Sequence, residues 1–410
     1  MDAEKQTRWE TILDTCYFIF LCYLVGGELV TKPLLQFTHS ILHVPGKIDT
    51  IALYALIALI AAAGLYGKVT SGKFSFKPSE IVLFCVLFSV FLIGYARSTA
   101  YSDMFLEMLR DFLLGILAYL WFRCCDDTER LLRAFAVMSV LMTAAMFLLL
   151  LLSGNEKAGQ YSQYYGYMIF PACVIAVNEA IRKKSVFYTL IAAAAFLLTF
   201  LMGGRGPILF ELIFLVIRLI GEPIRPAGKV AVSGFIAAVG SLIYFNLFAI
   251  LEWLNQLAVS ANFSSRIFDK LLMGKLYESG RSQIYEAAWK VVERHPFFGA
   301  GIGKDRIEIA KIIRSDAPIG TYPHNFMLEL LVQFGIVAGV VLIICFVIFE
   351  IRAYRASHAE KVEHDLFWIM LMVGFVPLLA SSSYFTYPMF YAMLAWQLSA
   401  LERDAVRKDN

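Results

Sequence analysis

Apolar runs of about 17–25 residues recur from one end of this 410-residue chain to the other, each bounded by charged or turn-forming residues. A helix of that length spans the roughly 30 Å hydrocarbon core of a bilayer. Hydrophobic residues make up 59% of the chain and charged residues 17%, against about 25% charged residues in soluble proteins. The pattern excludes a soluble enzyme and predicts an all-α polytopic integral membrane protein with about 12 transmembrane helices.

The limits of the apolar runs define the predicted spans and their orientation. The spans cover residues 11–31, 50–67, 80–96, 103–122, 131–152, 164–181, 186–203, 206–221, 230–251, 325–350, 366–383 and 385–401. With a cytoplasmic N-terminus, the inside segments carry 20 Lys and Arg residues and the short outside loops carry five. Because positive residues concentrate on the cytoplasmic side, we expect both termini to be cytoplasmic. The first run is long, follows a charged segment and lacks a small-residue cleavage site, so no cleavable signal peptide is expected.

The chain is predicted to have three parts. Residues 1–251 hold transmembrane helices 1–9, residues 252–323 form a large loop outside the membrane, and residues 324–410 hold helices 10–12 and a cytoplasmic tail. A connection of this length is usually functional or disordered. The formal net charge of +3 is too balanced to indicate nucleic acid as a partner.

Helical spacing of apolar residues between 284 and 292 indicates that the large loop is folded. A Ser-Gly-Arg-Ser sequence at 279–282 would start this helix, and His295 with Pro296 would end it. The glycines within 299–303 predict a flexible turn after it. We therefore expect a helical subdomain above the membrane core.

Two arginines in outer segments could bind an anion. Arg205 lies in a Gly-Gly-Arg-Gly-Pro hairpin, where glycines allow close approach of the backbone to a ligand. Arg281 lies at a predicted helix N-terminus, which itself favours an anion. The alternatives are an interfacial arginine that reaches lipid headgroups for Arg205 and a solvated arginine for Arg281. Arg266, after two serines, is a weaker candidate of the same kind.

His324 is the candidate proton acceptor. The sequence Tyr322-Pro323-His324-Asn325 places it in the predicted first turn of the tenth span, where the helix dipole disfavours a protonated ring. A neutral imidazole can act as a general base. The alternative is a histidine that caps the helix or contacts headgroups. Glu329 either orients the ring or pairs with another helix.

Further candidates for substrate contact are Tyr322 and Asn325 beside this histidine, and Gln163 in a segment rich in amide and aromatic groups. Interfacial tyrosines are expected in such a segment in any case. The outer loops hold no His, Cys or carboxylate cluster with the spacing of metal ligands. We therefore expect no metal and no cofactor, and expect phosphate groups to be bound by arginines, whose planar forks fit phosphate oxygens.

The ordered motifs resemble the O-antigen ligase family. They are Gly-Gly-Arg-Gly at 203–206, Ser-Gly-Arg-Ser at 279–282, His-Pro-Phe-Phe-Gly-Ala-Gly at 295–301, and His324-Asn325 with Gly335 downstream. Related O-antigen polymerases and protein O-oligosaccharyltransferases share this pattern. A chain of 410 residues, without a large extra C-terminal domain, favours the lipopolysaccharide ligase.

The resemblance implies a GT-C-like membrane glycosyltransferase with a helical periplasmic subdomain. It implies transfer of a polysaccharide from an undecaprenyl-diphosphate-linked O-antigen donor to lipid A-core, among the lipids of the inner membrane and on its periplasmic face. In that comparison Arg205 and Arg281 correspond to the family's essential arginines, and His324 corresponds to its essential histidine.

The expected chemistry is an inverting, metal-independent single displacement. The lipid diphosphate leaves as an anion that the arginines stabilise, and the histidine takes the proton of the attacking hydroxyl. One alternative is an O-antigen polymerase that extends lipid-linked repeats. Another is a transporter of lipid-linked glycan, which would need polar residues through the membrane midplane, whereas these candidates collect at the outer face.

Overall fold

The computed structural model describes residues 3–40, 47–74, 77–152, 163–202, 205–221, 247–260 and 281–409. Within these ranges the chain forms α-helices and short 3₁₀ turns, and no strand. The predicted fold class is confirmed: this is an all-α polytopic membrane protein.

Fourteen α-helices lie in the described ranges. They are α1 (Ala3–Ser40), α2 (Ile48–Thr70), α3 (Pro78–Ala96), α4 (Ser102–Arg123), α5 (Thr128–Leu152), α6 (Gln163–Lys183), α7 (Val186–Leu201), α8 (Arg205–Gly221), α9 (Leu247–Ser260), α10 (Arg281–Arg294), α11 (Lys304–Ile313), α12 (Phe326–Ser357), α13 (Lys361–Gly374) and α14 (Pro388–Asp409).

Eleven of the twelve predicted spans overlap one of these helices. The ninth, at 230–251, lies mostly outside the described residues, and only its last five residues fall in α9. Seven segments of the described chain are long and apolar enough to cross a membrane. They are Arg8–His39, Ile48–Thr70, Pro78–Ala96, Thr128–Leu152, Tyr164–Lys183, Phe326–Ser357 and Lys361–Leu379.

The eleventh predicted span, at 366–383, differs from the structure. Helix α13 ends at Gly374 and is followed by a 3₁₀ turn, Val376–Leu379. Pro377 explains the change, because its ring carries no backbone N–H and disfavours α conformation at the preceding residue. The chain then makes an irregular turn through Ser381 and Ser383 before α14 begins at Pro388.

The chain divides into two compact units. The first comprises Met1–Leu24, Ile57–Leu132 and Glu278–Asn410, and the second comprises Val25–Leu56 and Arg133–Tyr277. In the second unit, α6, α7 and α8 pack against one another.

Close packing of α4 against α14 forms the centre of the first unit. A Cβ atom at Gly115 would lie 2.5 Å from the ring of Tyr391, so glycine allows the two helices to approach. The rings of Phe112 and Phe385 stack with centroids 4.5 Å apart. This core lies beside the turn that joins α13 to α14.

The predicted helical subdomain is built on the first turns of α12. Helix α10 buries Ala287, Ala288, Val291 and Val292, which are the residues that its helical spacing predicted, against α11 and the start of α12. Helix α12 is interrupted at Gly335, whose φ of 81° and ψ of 174° are not helical.

The turn between α10 and α11 is hydrogen-bonded to this interruption, so it is more fixed than a flexible turn. The N–H groups of Ala300 and Gly301 donate to the carbonyl groups of Val332 and Gln333, at 2.8 and 3.0 Å. In return, the N–H of Ile336 donates to the carbonyl of residue 296 at 2.8 Å. The backbone groups of α12 that lose their helical partners at Gly335 thus form hydrogen bonds to the turn.

We predict that Gly335→Ala destabilises the protein by about 2–4 kcal/mol, because only glycine readily adopts this conformation and a Cβ would crowd the turn. That Cβ would lie 2.6 Å from the carbonyl group of Phe297. The midpoint of thermal unfolding in detergent measures the effect. Gly221→Ala is the control, since nothing lies within 4 Å of a Cβ there. Equal midpoints for the two variants would contradict the assignment.

Candidate functional site

His324 lies one residue before the cap of α12, and not in the first turn as the sequence suggested. Asn325 is the N-cap, and its side-chain oxygen accepts a hydrogen bond from the N–H of Leu328 at 3.1 Å. Asn325, a predicted substrate contact, therefore starts the helix. His324 itself has a φ of 50°, in the left-handed region that side chains other than glycine rarely adopt.

The imidazole of His324 is held on two sides. Its Nδ1 lies 3.1 Å from the carbonyl oxygen of Ser381, and its ring packs on the ring of Tyr322 with centroids 4.1 Å apart. The hydroxyl of Tyr322 donates to the same carbonyl. A carbonyl only accepts, so this contact favours the neutral tautomer with the proton on Nδ1 and the lone pair on Nε2.

The pKa of His324 is lowered from 6.5 to about 4. Burial is the largest cause, because it penalises the charged ring, and the positive charges of Arg281 and Arg306 act in the same direction. The carbonyl groups of Ser381 and Gly320 act the other way, since they favour a protonated ring. Burial and the nearby arginines therefore favour a neutral ring at neutral pH.

Arg281 is the first residue of α10 and is partly exposed. The buried apolar face of α10 fixes this end of the helix, because it packs into the core shared with α11 and α12. The charge of Arg281 contributes to the lowered pKa of His324. Two of the predicted site residues, Arg281 and His324, thus lie within electrostatic range of each other.

Sequence reasoning missed Arg306, which is 2% exposed in α11. Its Nη1 donates to the carbonyl of Ile319 at 2.6 Å, and its guanidinium lies 4.7 Å from the ring centroid of Tyr322. The hydroxyl of Thr321 donates to the carbonyl of Arg306 at 2.8 Å. Arg306 therefore fixes the loop that leads to His324. The signal was available, because Arg306 is spaced as a member of the apolar face that includes Ile309.

Two buried carboxylates accompany this arginine. Asp305 accepts a hydrogen bond from Nε2 of Gln333 at 2.9 Å, and burial raises its pKa. Glu329 accepts bonds from the hydroxyl of Ser383 and the N–H of Tyr384, and its charge is partly balanced by Arg306. Of the two roles left open for Glu329, the structure shows pairing with another segment, the turn before α14.

The remaining predicted site residues lie in the second unit or outside the described residues. Arg205 begins α8 in the second unit, and its side chain is not among those described. The same holds for the side chain of Gln163, the first residue of α6. Arg266 lies outside the described residues. In the ranges that the structure covers, no group of three or more His, Cys, Asp or Glu side chains could hold a metal ion.

Gly206, one of the glycines beside Arg205, lies where two helices approach closely. A Cβ atom at Gly206 would lie 2.5 Å from the hydroxyl oxygen of Tyr167 in α6. The close approach that glycine allows here is therefore to a neighbouring helix. It fixes the start of α8 against α6 in the second unit.

We predict that Gly206→Ala destabilises the protein by about 1–3 kcal/mol, because the new methyl group overlaps the hydroxyl of Tyr167. The double variant with Tyr167→Phe should recover much of that loss, since the overlapping oxygen is removed. Thermal unfolding of the wild type, both single variants and the double variant gives the coupling. Additive effects of the two substitutions would rule out this contact as the reason for glycine.

Comparison with known proteins adds to this geometry. Residues 190–343 match the O-antigen ligase family model. The resemblance found in the sequence is confirmed over that segment, which contains Arg205, Arg281, Arg306 and His324. The ComP-specific O-oligosaccharyltransferase of Acinetobacter baylyi is 28% identical over 138 residues, which is 33% of this chain and 24% of that protein. The chain thus spans about a quarter of the length of this curated relative.

Proposed function

We propose that this protein is a glycosyltransferase that moves a polysaccharide from an undecaprenyl-diphosphate carrier to a hydroxyl of lipid A-core. The observation that carries the proposal is a buried His324, anchored on the carbonyl of Ser381, with the cation of Arg281 within electrostatic range at the N-terminal end of α12. The match of residues 190–343 to the O-antigen ligase family supports it. The excess of Lys and Arg in the opposite loops supports an inner-membrane protein with both termini cytoplasmic and the site facing the periplasm.

The proposed reaction is one displacement. The lone pair on Nε2 of His324 takes the proton of the acceptor hydroxyl, whose oxygen forms a bond to the anomeric carbon of the donor. The bond from that carbon to the diphosphate oxygen breaks, and its electron pair leaves with the diphosphate. Arg281 stabilises the leaving anion, and the same role for Arg205 rests on its sequence motif alone. Attack opposite to the leaving group inverts the anomeric carbon.

The test is reconstitution of the purified protein with undecaprenyl-diphosphate-linked polysaccharide and lipid A-core, with a chelator and without nucleotide. The proposal predicts a ladder of conjugated lipopolysaccharide. Lengthening of the lipid-linked glycan without conjugate would instead identify a polymerase. If neither product forms, the same vesicles should be assayed for movement of the lipid-linked glycan across the membrane, which is the transporter alternative.

In that assay we predict that Arg281→Ala lowers the rate by about 10²–10³, the effect of removing one donor that stabilises a transition-state anion. Arg281→Lys should recover only part of it, because an ammonium lacks the planar fork. Arg294→Ala is the matched control, since Arg294 is exposed at the other end of the same helix. Full activity of Arg281→Ala would exclude the assigned role.

The pH dependence tests the base. We predict that kcat/KM falls as the pH drops through about 4, and not through 6.5, because the pKa of His324 in the free protein is lowered to about 4. The corresponding fall in kcat should occur at higher pH, since a bound diphosphate places negative charge near the ring and raises its pKa. An acid limb of kcat/KM near 6.5 would contradict the lowered pKa, and an active His324→Ala variant would exclude His324 as the base.

Rates at low pH need correction for unfolding. The folded pKa of His324 lies below its ordinary value, so protons bind the unfolded chain more tightly and stability falls as the pH decreases from about 6.5 towards 4. Measuring the folded fraction at each pH separates this loss of protein from the loss of base.

A further inference from the structure

Two adjacent aromatic side chains protrude from the turn between α10 and α11. Phe297 is 73% exposed and Phe298 is 91% exposed. Large apolar side chains exposed side by side mark a surface that contacts another apolar phase. The turn lies next to the interruption of α12 at Gly335.

Part of the backbone of this turn is hydrogen-bonded to the protein, as a position within a membrane requires. The N–H groups of Ala300 and Gly301 and the carbonyl of residue 296 all bond to α12, on either side of Gly335. A turn at membrane depth is tolerated only where such groups are satisfied by protein. Gly299, with a φ of 68°, lets the turn lie against the carbonyl of Gln333, which a Cβ would approach to 2.3 Å.

The position along α12 gives the depth. Between Glu329 and Glu350 the helix has no charged residue, and such a stretch of 20 residues is about 30 Å long, the thickness of the hydrocarbon layer. Gly335 lies about 8 Å inside the outer end of this stretch. The residues that follow it, Ile336 and Val337, are 45% and 66% exposed and begin the lipid-facing side of the span.

We propose that residues 296–301 form a re-entrant turn whose Phe297 and Phe298 side chains insert among the lipid acyl chains of the leaflet at the N-terminal end of α12. Ile336, the first exposed residue of α12 after the interruption, donates a hydrogen bond to residue 296, so the exposed face of α12 begins beside the turn that carries the two rings. Part of the loop predicted to lie outside the membrane is thereby embedded in it. The inference stands independently of the reaction proposed above.

Insertion would hold α10 and α11 at the bilayer surface. Both helices are joined directly to the turn, so Arg281 and Arg306 are fixed in height relative to the lipid headgroups. A substrate attached to a membrane lipid presents its polar linkage at that height. This consequence rests on the proposed function, whereas the insertion itself does not.

Spin-label accessibility in lipid vesicles tests the insertion. The exposed and partly exposed cysteines, Cys16, Cys22, Cys85 and Cys345, are first replaced by serine. A nitroxide is then placed at Phe298→Cys. References are Val337→Cys on the lipid face of α12 and Lys290→Cys on the exposed face of α10. Collisions with dissolved oxygen, which partitions into lipid, are compared with collisions with a water-soluble nickel chelate.

The expected result is an oxygen-to-nickel accessibility ratio at position 298 that matches the ratio at 337 and exceeds the ratio at 290. High nickel accessibility at 298 would show that the turn is in water and would overturn the proposal. Low accessibility to both reagents would show that protein covers the rings, either a second copy or another segment of this chain, and would overturn it equally.

A measurement on the wild-type chain guards against misfolding of the cysteine variants. The protein is reconstituted with a phospholipid that carries a photoactivatable diazirine on its acyl chain, irradiated and mapped by mass spectrometry. Covalent lipid adducts on Phe297 or Phe298, together with adducts on residues 336–341, are expected. Adducts on 336–341 without any on the two phenylalanines would contradict insertion.

Discussion

The structure of the candidate site depends on the hydrogen bonds that satisfy the interruption of α12. In a bilayer an unpaired backbone group costs several kcal/mol, so a span can break only where another segment supplies partners. Here the turn at residues 296–301 supplies them on both sides of Gly335. This exchange fixes α10 and α11 on α12, and with them the positions of Arg281 and Arg306. The helices that carry these charged groups are therefore held in a fixed position relative to the span.

A buried cluster of polar side chains also restrains the backbone before α12. Asp305 and Glu329 both accept from the side-chain amide of Gln333, and the positive charge of Arg306 is within electrostatic range of both. Burying charges is costly, and removing one member of such a cluster leaves the others uncompensated. Because Arg306 also bonds to the loop before α12, the cluster that keeps these charges buried also restrains the backbone of His324.

Much of the fold follows from local sequence patterns. Apolar runs predicted helices at eleven of twelve places, and the spacing of Ala287, Ala288, Val291 and Val292 predicted the buried face of α10. These signals are local, since the length and periodicity of a run determine whether it can span or pack. For His324 and Arg281, the sequence predicted only that both residues lie on the same side of the membrane.

What could not be predicted depends on contacts distant in sequence. The carbonyl that orients His324 belongs to Ser381, 57 residues further on. Every residue has a backbone carbonyl, so the sequence does not indicate which one makes this contact. The predicted flexible turn at 299–303 is fixed by α12 through backbone bonds of the same kind. Arg306 had a local signal, a charge on an apolar face, but its meaning required the fold.

The conformation of His324 follows from the start of α12. Asn325 must be extended to cap the helix, with a φ of −151° and a ψ of 112°, and the ring of Tyr322 two residues earlier is held by Arg306 and by the carbonyl of Ser381. With both flanks fixed, the change of chain direction falls on His324, whose left-handed backbone costs about 1–2 kcal/mol. Such strain persists only where the surroundings determine it, and it accumulates at functional positions. The contacts at the start of α12 thus also position the imidazole of His324 against the carbonyl of Ser381, with Nε2 as the nitrogen that can accept a proton.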